Sequence, residues 1–414
     1  MPSLGDLARY GLADVAAVIP SCILDQPAVQ LPSPPFGRPS PLMIADPDLA
    51  RIVLADKARK FGRDRLMQRL MRRSWGKGLA AAEGEAWQAQ RRAAQPFFRS
   101  SMLKQQADAF SQAAREVCSL VNDGETVDLQ ELAGRIIARV LLRVLIDAQG
   151  EADPDRLVEV LPRYMEVIAG FTLTDLLLLP EAAHDFLAGM GRSSAVDTIR
   201  TMADNLAAQK DEGTAKEDLI DLLKTAGPIE DNIRGLIPAA MDTTAKGLTW
   251  TLFVMAANPE LQDRVAASPP QMPPTRSSYI GCIVQEVLRL YPPAPFLIRA
   301  AMESMALGEF QVRKGQSVGV SVYAMHRHAA WWDHPAEFRP ERFAESAKAS
   351  PAYLPFGMGP RSCIAAQFAF AEIAVIASEI CRVLRLEASG PAPAVGLQVT
   401  THPIGPVMAT VRQR

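Results

Sequence analysis

The stretch that decides the interpretation of this chain is PFGMGPRSCIA, residues 355–365. Its glycines and prolines disfavour helix and strand and favour a tight turn. The turn passes directly into AQFAFAE, residues 366–372, most of which are good helix formers. Cys363 is therefore predicted at the mouth of a helix, where the first backbone N–H groups and the helix dipole stabilise a thiolate.

An isolated cysteine is ordinarily a buried, unreactive structural residue. The residues around Cys363 indicate a different role, because the pattern Phe-x-x-Gly-x-Arg-x-Cys resembles the haem-binding signature of the cytochrome P450 family. In that family the cysteine thiolate is the axial ligand of the haem iron. The resemblance implies haem b as the cofactor, Cys363 as the metal ligand, and Phe356 and Arg361 as haem contacts. One departure is Ala365, which stands where many family members have glycine.

A second motif lies in the longest uninterrupted helical pattern, residues 228–258. Pro238 inside this pattern removes a backbone hydrogen bond and predicts a kink. Asp242 and Thr243 follow, and the threonine hydroxyl can bond to a carbonyl one turn earlier. This acid–alcohol pair resembles the oxygen-binding groove of the same family. The resemblance assigns Asp242 and Thr243 to a proton relay that serves oxygen activation.

A third motif consists of Trp87 and Arg91, which are one turn apart in a helix predicted over Glu85–Phe98. From the residues alone, a surface arginine stacked on an aromatic ring is an equal alternative. In the family, this spacing resembles the helix that holds a haem propionate, since a guanidinium suits a carboxylate and the indole N–H is a second donor. The resemblance adds two further haem contacts, Arg299 at a propionate and Ala239 of the long helix, and it places Arg361 at a propionate as well.

Glu286 and Arg289 form a weaker motif in a helix predicted over Tyr279–Leu290. Ion pairs at this i, i+3 spacing are common in any helix. Together with FRPERF, residues 338–343, the pair resembles the family's charge triad, in which Glu286 bridges Arg289 and Arg342. We expect this triad to fix the loop that leads to Cys363 and to serve the fold more than the chemistry.

The resemblance also gives expectations for the substrate side, where ordinary packing is the alternative for each residue. Lys57–Lys77 is expected to be a variable loop over the substrate, Leu176–Pro180 and the flanking helices a mobile lid, and Thr401–Ile404 a turn into the pocket. The pocket candidates are Leu66, Phe171, Leu236, Ala240, Phe296 and Ile404.

Composition excludes several classes of protein. The 414 residues have a net charge of −2, with 48% hydrophobic and 22% charged residues, so nothing in the charge suggests a nucleic-acid partner. Five scattered cysteines favour a reducing compartment over a disulfide framework. The apolar run Val15–Leu24 is too short to span a bilayer and contains Pro20. We therefore expect a cytoplasmic protein without a membrane anchor. Within the family, such a chain resembles the bacterial members, and we expect a monomer.

The resemblance covers the whole chain, residues 1–414, as one cytochrome P450 domain. The expected fold is mainly α with a smaller β region near both ends of the sequence, enclosing haem between the long helix and Cys363. Residues 1–40 are predicted to be a loosely structured lead-in, and Gln311–Tyr323 a hairpin around Lys314-Gly315. We expect no fused reductase.

The expected function is a monooxygenase reaction that inserts one oxygen atom from O2 into a small apolar organic substrate. Electrons would come from NAD(P)H through a reductase and a separate ferredoxin-type donor. Arg92, Arg99 and Lys104 are candidates for the docking surface of an acidic ferredoxin, with solvated surface charge as the alternative. A haem-thiolate peroxygenase or isomerase, which would not need the proton relay, and a non-catalytic haem sensor or carrier are the competing functions.

Overall fold

The helix Ile229–Ala256 is the longest described element of the computed structural model. The structure describes residues 21–33, 39–56, 59–148, 153–169, 194–211, 218–268, 273–345 and 350–414. Glu230 and Asp231 lie in the first turn of the helix, where acidic side chains are favourable to the dipole. The helix continues through Pro238, whose ring cannot donate a backbone hydrogen bond to the preceding turn. The long helix predicted from the sequence is confirmed.

Helices dominate the described residues, and none of these helices is both long enough and apolar enough to cross a membrane. A π-helical turn, Leu141–Leu145, extends one of them, and 3-10 turns occupy Ser21–Leu24 and Gln95–Phe98. The other α-helices are Pro47–Leu54, Arg65–Trp75, Gly84–Ala94, Ser100–Cys118, Leu129–Val140, Pro154–Ala169, Ser194–Asp211, Leu219–Lys224, Pro259–Ala267, Tyr279–Leu290, Val322–Met325, Arg342–Glu345 and Ala366–Val383.

The strands are short and form small sheets, which agrees with the predicted fold class of a mainly α protein with a smaller β part. Their bounds are β1 (Ala28–Gln30), β2 (Leu42–Ile44), β3 (Phe61–Gly62), β4 (Thr126–Asp128), β5 (Phe296–Ala301), β6 (Met305–Leu307), β7 (Phe310–Val312), β8 (Ser317–Ser321), β9 (Leu384–Ala388), β10 (Ala394–Leu397), β11 (Thr401–Ile404) and β12 (Met408–Gln413).

The chain folds into two compact units, of which the first comprises residues 1–68, 285–366 and 395–404. Its main sheet has the strand order β1-β2-β8-β5-β3. β2 and β8 are parallel, with Leu42 opposite Val318 and Ile44 opposite Val320. These four side chains are buried in a core that also contains Trp332. This sheet places β5 beside the loops that carry the predicted site residues of this unit.

Three sequence predictions for the first unit are wrong. Residues 21–33 are not a loose lead-in, because β1 pairs antiparallel with β2 and buries Ala28 and Val29. The hairpin predicted over Gln311–Tyr323 does not form: β7 pairs with β6, and β8 lies between β2 and β5. Strands β5–β8 also come from the middle of the sequence rather than from its ends. The chain does turn at Gly315, as predicted, but the local sequence pattern does not determine which strand pairs with which.

The second unit comprises residues 69–284, 367–394 and 405–414. The long helix packs against Leu129–Val140 and Ser194–Asp211. A three-stranded antiparallel sheet with the order β4-β12-β9 joins β4 to two strands that lie more than 250 residues further along the sequence. Phe97, Phe98, Phe110 and Phe368 form an aromatic cluster, with the Phe110 and Phe368 rings 5.1 Å apart. This cluster holds the helix that follows Cys363 in sequence within the core of its unit.

The segment Lys57–Lys77, expected to be a variable loop, contains the helix Arg65–Trp75. Gly76 ends this helix with a positive φ of 56°. The chain beyond it is bound to the first turn of the long helix, where the Lys77 N–H donates to Asp231 Oδ2 at 2.7 Å and the Leu79 N–H to Asn232 Oδ1 at 2.8 Å. The loop prediction was wrong because the many arginines of this segment are good helix formers.

Candidate functional site

Cys363 lies in a loop that two backbone hydrogen bonds shape. The Gly357 N–H donates to the Leu354 carbonyl at 3.0 Å, and the Cys363 N–H donates to the Phe356 carbonyl at 2.9 Å. Gly357 and Gly359 have φ values of 70° and 75°, a region that glycine reaches without strain. The predicted tight turn is therefore present, and Cys363 comes three residues before the helix Ala366–Val383.

Gly359 fixes where this loop packs. A side chain at this position would collide with the carbonyl oxygen of Leu54 and the Cα atom of Ala55, at the end of the helix Pro47–Leu54. Only glycine combines the positive φ with this close backbone approach. The loop is thus held against a helix of the same unit while Cys363 remains exposed.

The other cysteines differ from Cys363 in exposure. Cys118, Cys282 and Cys381 are buried. Burial raises the pKa of the Cys118 and Cys381 thiols to about 12, so both stay protonated. Cys363, exposed on a glycine-rich turn, is the thiol with the access that a ligand requires.

The predicted charge triad is brought together in the first unit. Glu286 and Arg289 are fully buried, with two guanidinium–carboxylate hydrogen bonds of 2.7 Å. Arg342 Nε donates to Glu286 Oε1 at 3.1 Å. Arg289 also donates to the carbonyls of His326 and Pro335. Because the Glu286 carboxylate accepts from both guanidinium groups and Arg289 also binds backbone carbonyls, the triad is a rigid support for the segment that leads to the cysteine loop.

Asp242 is held by a residue that the sequence reading did not select. Lys246 Nζ lies 2.8 Å from Asp242 Oδ1 and 2.9 Å from Oδ2, one helical turn further along. The aspartate side chain is 8% exposed and the lysine side chain 21%. The i, i+4 spacing of an acid and a following lysine is a signal that could have revealed this pair.

Thr243 makes the predicted hydrogen bond to the preceding turn, since its Oγ1 donates to the Ala239 carbonyl at 2.8 Å. Leu236, Ala239, Ala240 and Thr243 are more exposed than their neighbours along the helix. These positions recur at helical spacing and therefore share one face. These four residues thus form an open strip along the middle of an otherwise largely buried helix.

The predicted propionate ligands are divided between the two units. Trp87 and Arg91 belong to the second unit, where the guanidinium lies 5.6 Å from the centre of the indole ring. Arg299 and Arg361 belong to the first unit, and Arg299 Nη1 donates to the Ile298 carbonyl at 2.9 Å. All four side chains are partly exposed.

The pocket candidates have different surroundings. Leu66 and Phe296 are half-buried, and Ile404 is 55% exposed at the end of β11. The turn expected at Thr401–Ile404 is itself strand β11, because the positive φ that makes the turn occurs at Gly405. Phe171 and Leu176–Pro180 lie outside the described residues.

The comparisons with known proteins identify the family. The model of the cytochrome P450 family matches residues 36–398, so the chain belongs to this family. LUTEIN DEFICIENT 5 of Arabidopsis thaliana is 26% identical, over 92% of this chain and 71% of that protein. Cytokinin hydroxylase of the same plant is 27% identical over 82% and 72%. The crystal structure of CYP175A1 from Thermus thermophilus has a TM-score of 0.79 at 26% identity and covers 99% of this chain and 97% of that one.

Membership of this family makes the chain a haem-thiolate monooxygenase, an oxidoreductase whose cofactor is haem b. The side chains present fit such a cofactor. The first unit offers an exposed thiol on a turn that glycines keep narrow. The second unit offers the open strip of the long helix, where the small side chains of Ala239 and Ala240 leave a surface against which a flat ring can pack. Among the residues described, no three or more His, Cys, Asp or Glu side chains form a cluster suited to a metal ion.

Proposed function

We propose that this enzyme inserts one oxygen atom from O2 into a small apolar organic molecule, in a hydroxylation or a related oxidation. The observation that carries the proposal is the acid–alcohol pair Asp242 and Thr243 on the long helix, with the acid held by Lys246. A cofactor that only sensed or carried a ligand would not require a positioned proton donor. One relative is named a hydroxylase, which supports the same reaction class.

In this proposal Cys363 ligates the haem iron, and Phe356 and Ala239 pack against the ring. Arg91, Arg299 and Arg361 neutralise the propionates, and Trp87 adds an indole donor. The triad of Glu286, Arg289 and Arg342 supports the loop of the metal ligand. Haem bound in this way supplies the activation of O2.

Proton supply is the task of Asp242, Thr243 and Lys246. The Thr243 hydroxyl donates its hydrogen to the Ala239 carbonyl. Its oxygen can therefore only accept hydrogen bonds from other groups, such as water. The Lys246 ammonium compensates the charge of the Asp242 carboxylate, and its greater exposure connects the pair to solvent. We infer that protons enter at Lys246 and pass to Asp242, and that the Thr243 oxygen orients a water molecule by accepting a hydrogen bond from it.

The substrate is proposed to contact apolar side chains from several elements. Leu236 and Ala240 contribute from the open strip, Phe296 from β5, Leu66 from the helix Arg65–Trp75 and Ile404 from β11. Ala240, in place of the glycine common in the family, makes the strip slightly narrower. Such a lining favours a substrate without charge, because a buried charge would lack a partner.

We further propose that electrons come from NAD(P)H through a reductase and a separate ferredoxin, and that the enzyme is a cytoplasmic, bacterial-type monomer. Arg92, Arg99 and Lys104 are exposed and close in sequence, which favours an acidic partner.

Isotope labelling tests the reaction. With NAD(P)H, a ferredoxin, a reductase and ¹⁸O2, a substrate identified by spectral titration should gain one ¹⁸O atom per product molecule. A peroxygenase would take its oxygen from added peroxide and ignore ¹⁸O2, an isomerase would give an unlabelled product, and a sensor would give none. Any of these three results with a fully haem-loaded protein would overturn the proposal.

A further inference from the structure

His326 belongs to the first unit, directly follows the helix Val322–Met325 and is fully buried. The Leu354 N–H donates to its Nε2 at 2.8 Å, which makes Nε2 the acceptor. Nδ1 therefore carries the ring hydrogen and donates to the Arg289 carbonyl at 3.0 Å. The neighbours thus determine the tautomer of the ring.

The contact between His326 and Arg289 is reciprocal. The imidazole donates to the Arg289 carbonyl, and Arg289 Nη1 donates to the His326 carbonyl at 2.8 Å. The ring also stacks on Tyr353 at 5.5 Å, and the edge of Trp332 meets it at 6.3 Å. Burial lowers the pKa of His326 to about 3, so the ring stays neutral and can accept from Leu354.

Leu354 is the residue from which the cysteine loop starts. Its N–H is taken by His326, and its carbonyl accepts from the Gly357 N–H at 3.0 Å. The next carbonyl but one, that of Phe356, accepts from the Cys363 N–H at 2.9 Å. A continuous series of hydrogen bonds thus runs from the helix Tyr279–Leu290, through the imidazole, to the backbone of Cys363.

We propose that His326 is a positioning residue for Cys363, and that it acts through its hydrogen bond from Leu354. It sets the distance between the cysteine loop and the helix of the charge triad, and thereby directs the thiol toward the iron. This inference rests on the proposed function of Cys363 as the haem ligand. The competing explanation is that the imidazole only fills space in the core.

Two substitutions separate the two hydrogen bonds of the ring. In His326→Gln the side-chain oxygen can take the place of Nε2 and accept from Leu354. In His326→Asn the side-chain nitrogen can take the place of Nδ1 and donate to Arg289, but no atom reaches Leu354. If the ring only filled space, the smaller Asn would be somewhat worse in stability, and neither variant would change the cysteine loop specifically.

The first readout needs no turnover: hydrogen exchange of the Leu354 amide in the haem-loaded protein. We expect roughly tenfold faster exchange in His326→Asn and near wild-type exchange in His326→Gln, because only the former loses this buried hydrogen bond. The second readout is the thiolate-specific, red-shifted Soret band of the reduced, carbon-monoxide-bound protein. The fraction of the carbon-monoxide-bound haem that shows this band should fall severalfold in His326→Asn and be retained in His326→Gln.

His328→Leu is the matched control, because His328 is also buried and its Nδ1 accepts only locally, from the Ala330 N–H at 3.1 Å. This variant should keep the wild-type exchange and spectrum. Equal exchange and equal thiolate share in the Asn and Gln variants would overturn the role of His326, provided that the wild-type protein shows the thiolate band. Absence of that band in the wild type would instead overturn the proposed role of Cys363.

Discussion

Asp242 and Lys246 form an ion pair within one turn of the long helix, with Nζ 2.8 Å from Oδ1 and 2.9 Å from Oδ2. The acid is nearly buried, and the lysine is the more exposed partner. The lysine therefore compensates the charge of a carboxylate beside Thr243 that is poorly solvated because it is nearly buried. The two residues are four positions apart, so this ion pair is encoded within one turn of the helix.

Lys246→Met should slow turnover while leaving substrate binding nearly unchanged, because the relay loses its solvent-side donor but the apolar contacts remain. Lys246→Arg should restore most of the rate. The same Met variant should lower the free energy of unfolding by about 1.5 to 3 kcal/mol, as expected for a lost hydrogen bond to a charged group.

Arg135→Met is the control for Lys246→Met. It breaks the i, i+4 pair of Arg135 with Glu131, whose side chains are 42% and 54% exposed. Exposed pairs of this kind contribute less than about 1 kcal/mol. Urea unfolding and spectral titration of substrate measure the two effects. A Lys246→Met enzyme with the wild-type turnover rate would remove the lysine from the relay.

Thr243→Ala should bind substrate with near wild-type affinity and divert a large share of the reducing equivalents to hydrogen peroxide, because the positioned hydroxyl is lost. Thr249→Ala removes the same kind of hydrogen bond, from Oγ1 to the Ala245 carbonyl at 2.8 Å, two turns further along. That control should stay coupled. The measurement is product and peroxide formed per NAD(P)H; equal coupling in the two variants would place the relay elsewhere.

The buried carboxyl group of Glu372 should make the free energy of unfolding depend on pH. It is 5% exposed in the helix Ala366–Val383, and burial raises the pKa of its carboxyl from 4.5 to about 8. Between these two pH values the folded state keeps a proton that the unfolded state releases. The stability of the folded state therefore falls as the pH rises from about 4.5 to about 8. Glu372→Gln should flatten this dependence and gain stability over the wild type, by up to a few kcal/mol, above pH 8.

Urea unfolding at pH 5, 7 and 9 measures the effect of Glu372→Gln. Glu387, an exposed carboxyl on β9, supplies the control, and Glu387→Gln should leave the pH profile as it is. Stability profiles of the wild type and of Glu372→Gln that run parallel over this range would contradict the assignment of the pH dependence to Glu372.

Charge reversal tests the ferredoxin partner. Replacing Arg92 and Lys104 by glutamate should slow reduction by an acidic ferredoxin at low salt, and the deficit should shrink as salt shortens the Debye length to about 8 Å. Reversal of Arg156 and Arg163, two surface arginines elsewhere in the same unit, is the matched control. Stopped-flow reduction equally fast in both double variants at low salt would exclude this surface.

The sequence predicted those parts of the fold that depend on local chemistry. The helix Tyr279–Leu290 was predicted with its observed bounds, and the turn before Cys363 follows from its glycines. The chain reversal at Gly315 was also predicted, but the pairing of β7 with β6 was not. Local patterns specify turns and helices, whereas strand partners depend on packing between distant segments.

The candidate site shows the same division. Glu286, Arg289 and Arg342 were predicted to meet because their two motifs in combination resemble the family's charge triad, and the structure brings them into contact. His326 belongs to none of the motifs that the sequence shows. Its two hydrogen bonds go to backbone groups of Arg289 and Leu354, and backbone partners leave no pattern in a sequence. Contacts of this kind require a structure.

The most direct test of the central claim is the spectrum of the reduced protein with carbon monoxide, for the wild type, Cys363→Ser and Cys22→Ser. Cys22 is a half-buried cysteine of the same unit and serves as the control. We predict a red-shifted, thiolate-specific Soret band in the wild type and in Cys22→Ser. The band should be lost in Cys363→Ser while haem is still bound, because a serine hydroxyl is a far weaker and less anionic donor than a thiolate. An unchanged red-shifted band in haem-loaded Cys363→Ser would contradict the assignment of Cys363 as the iron ligand.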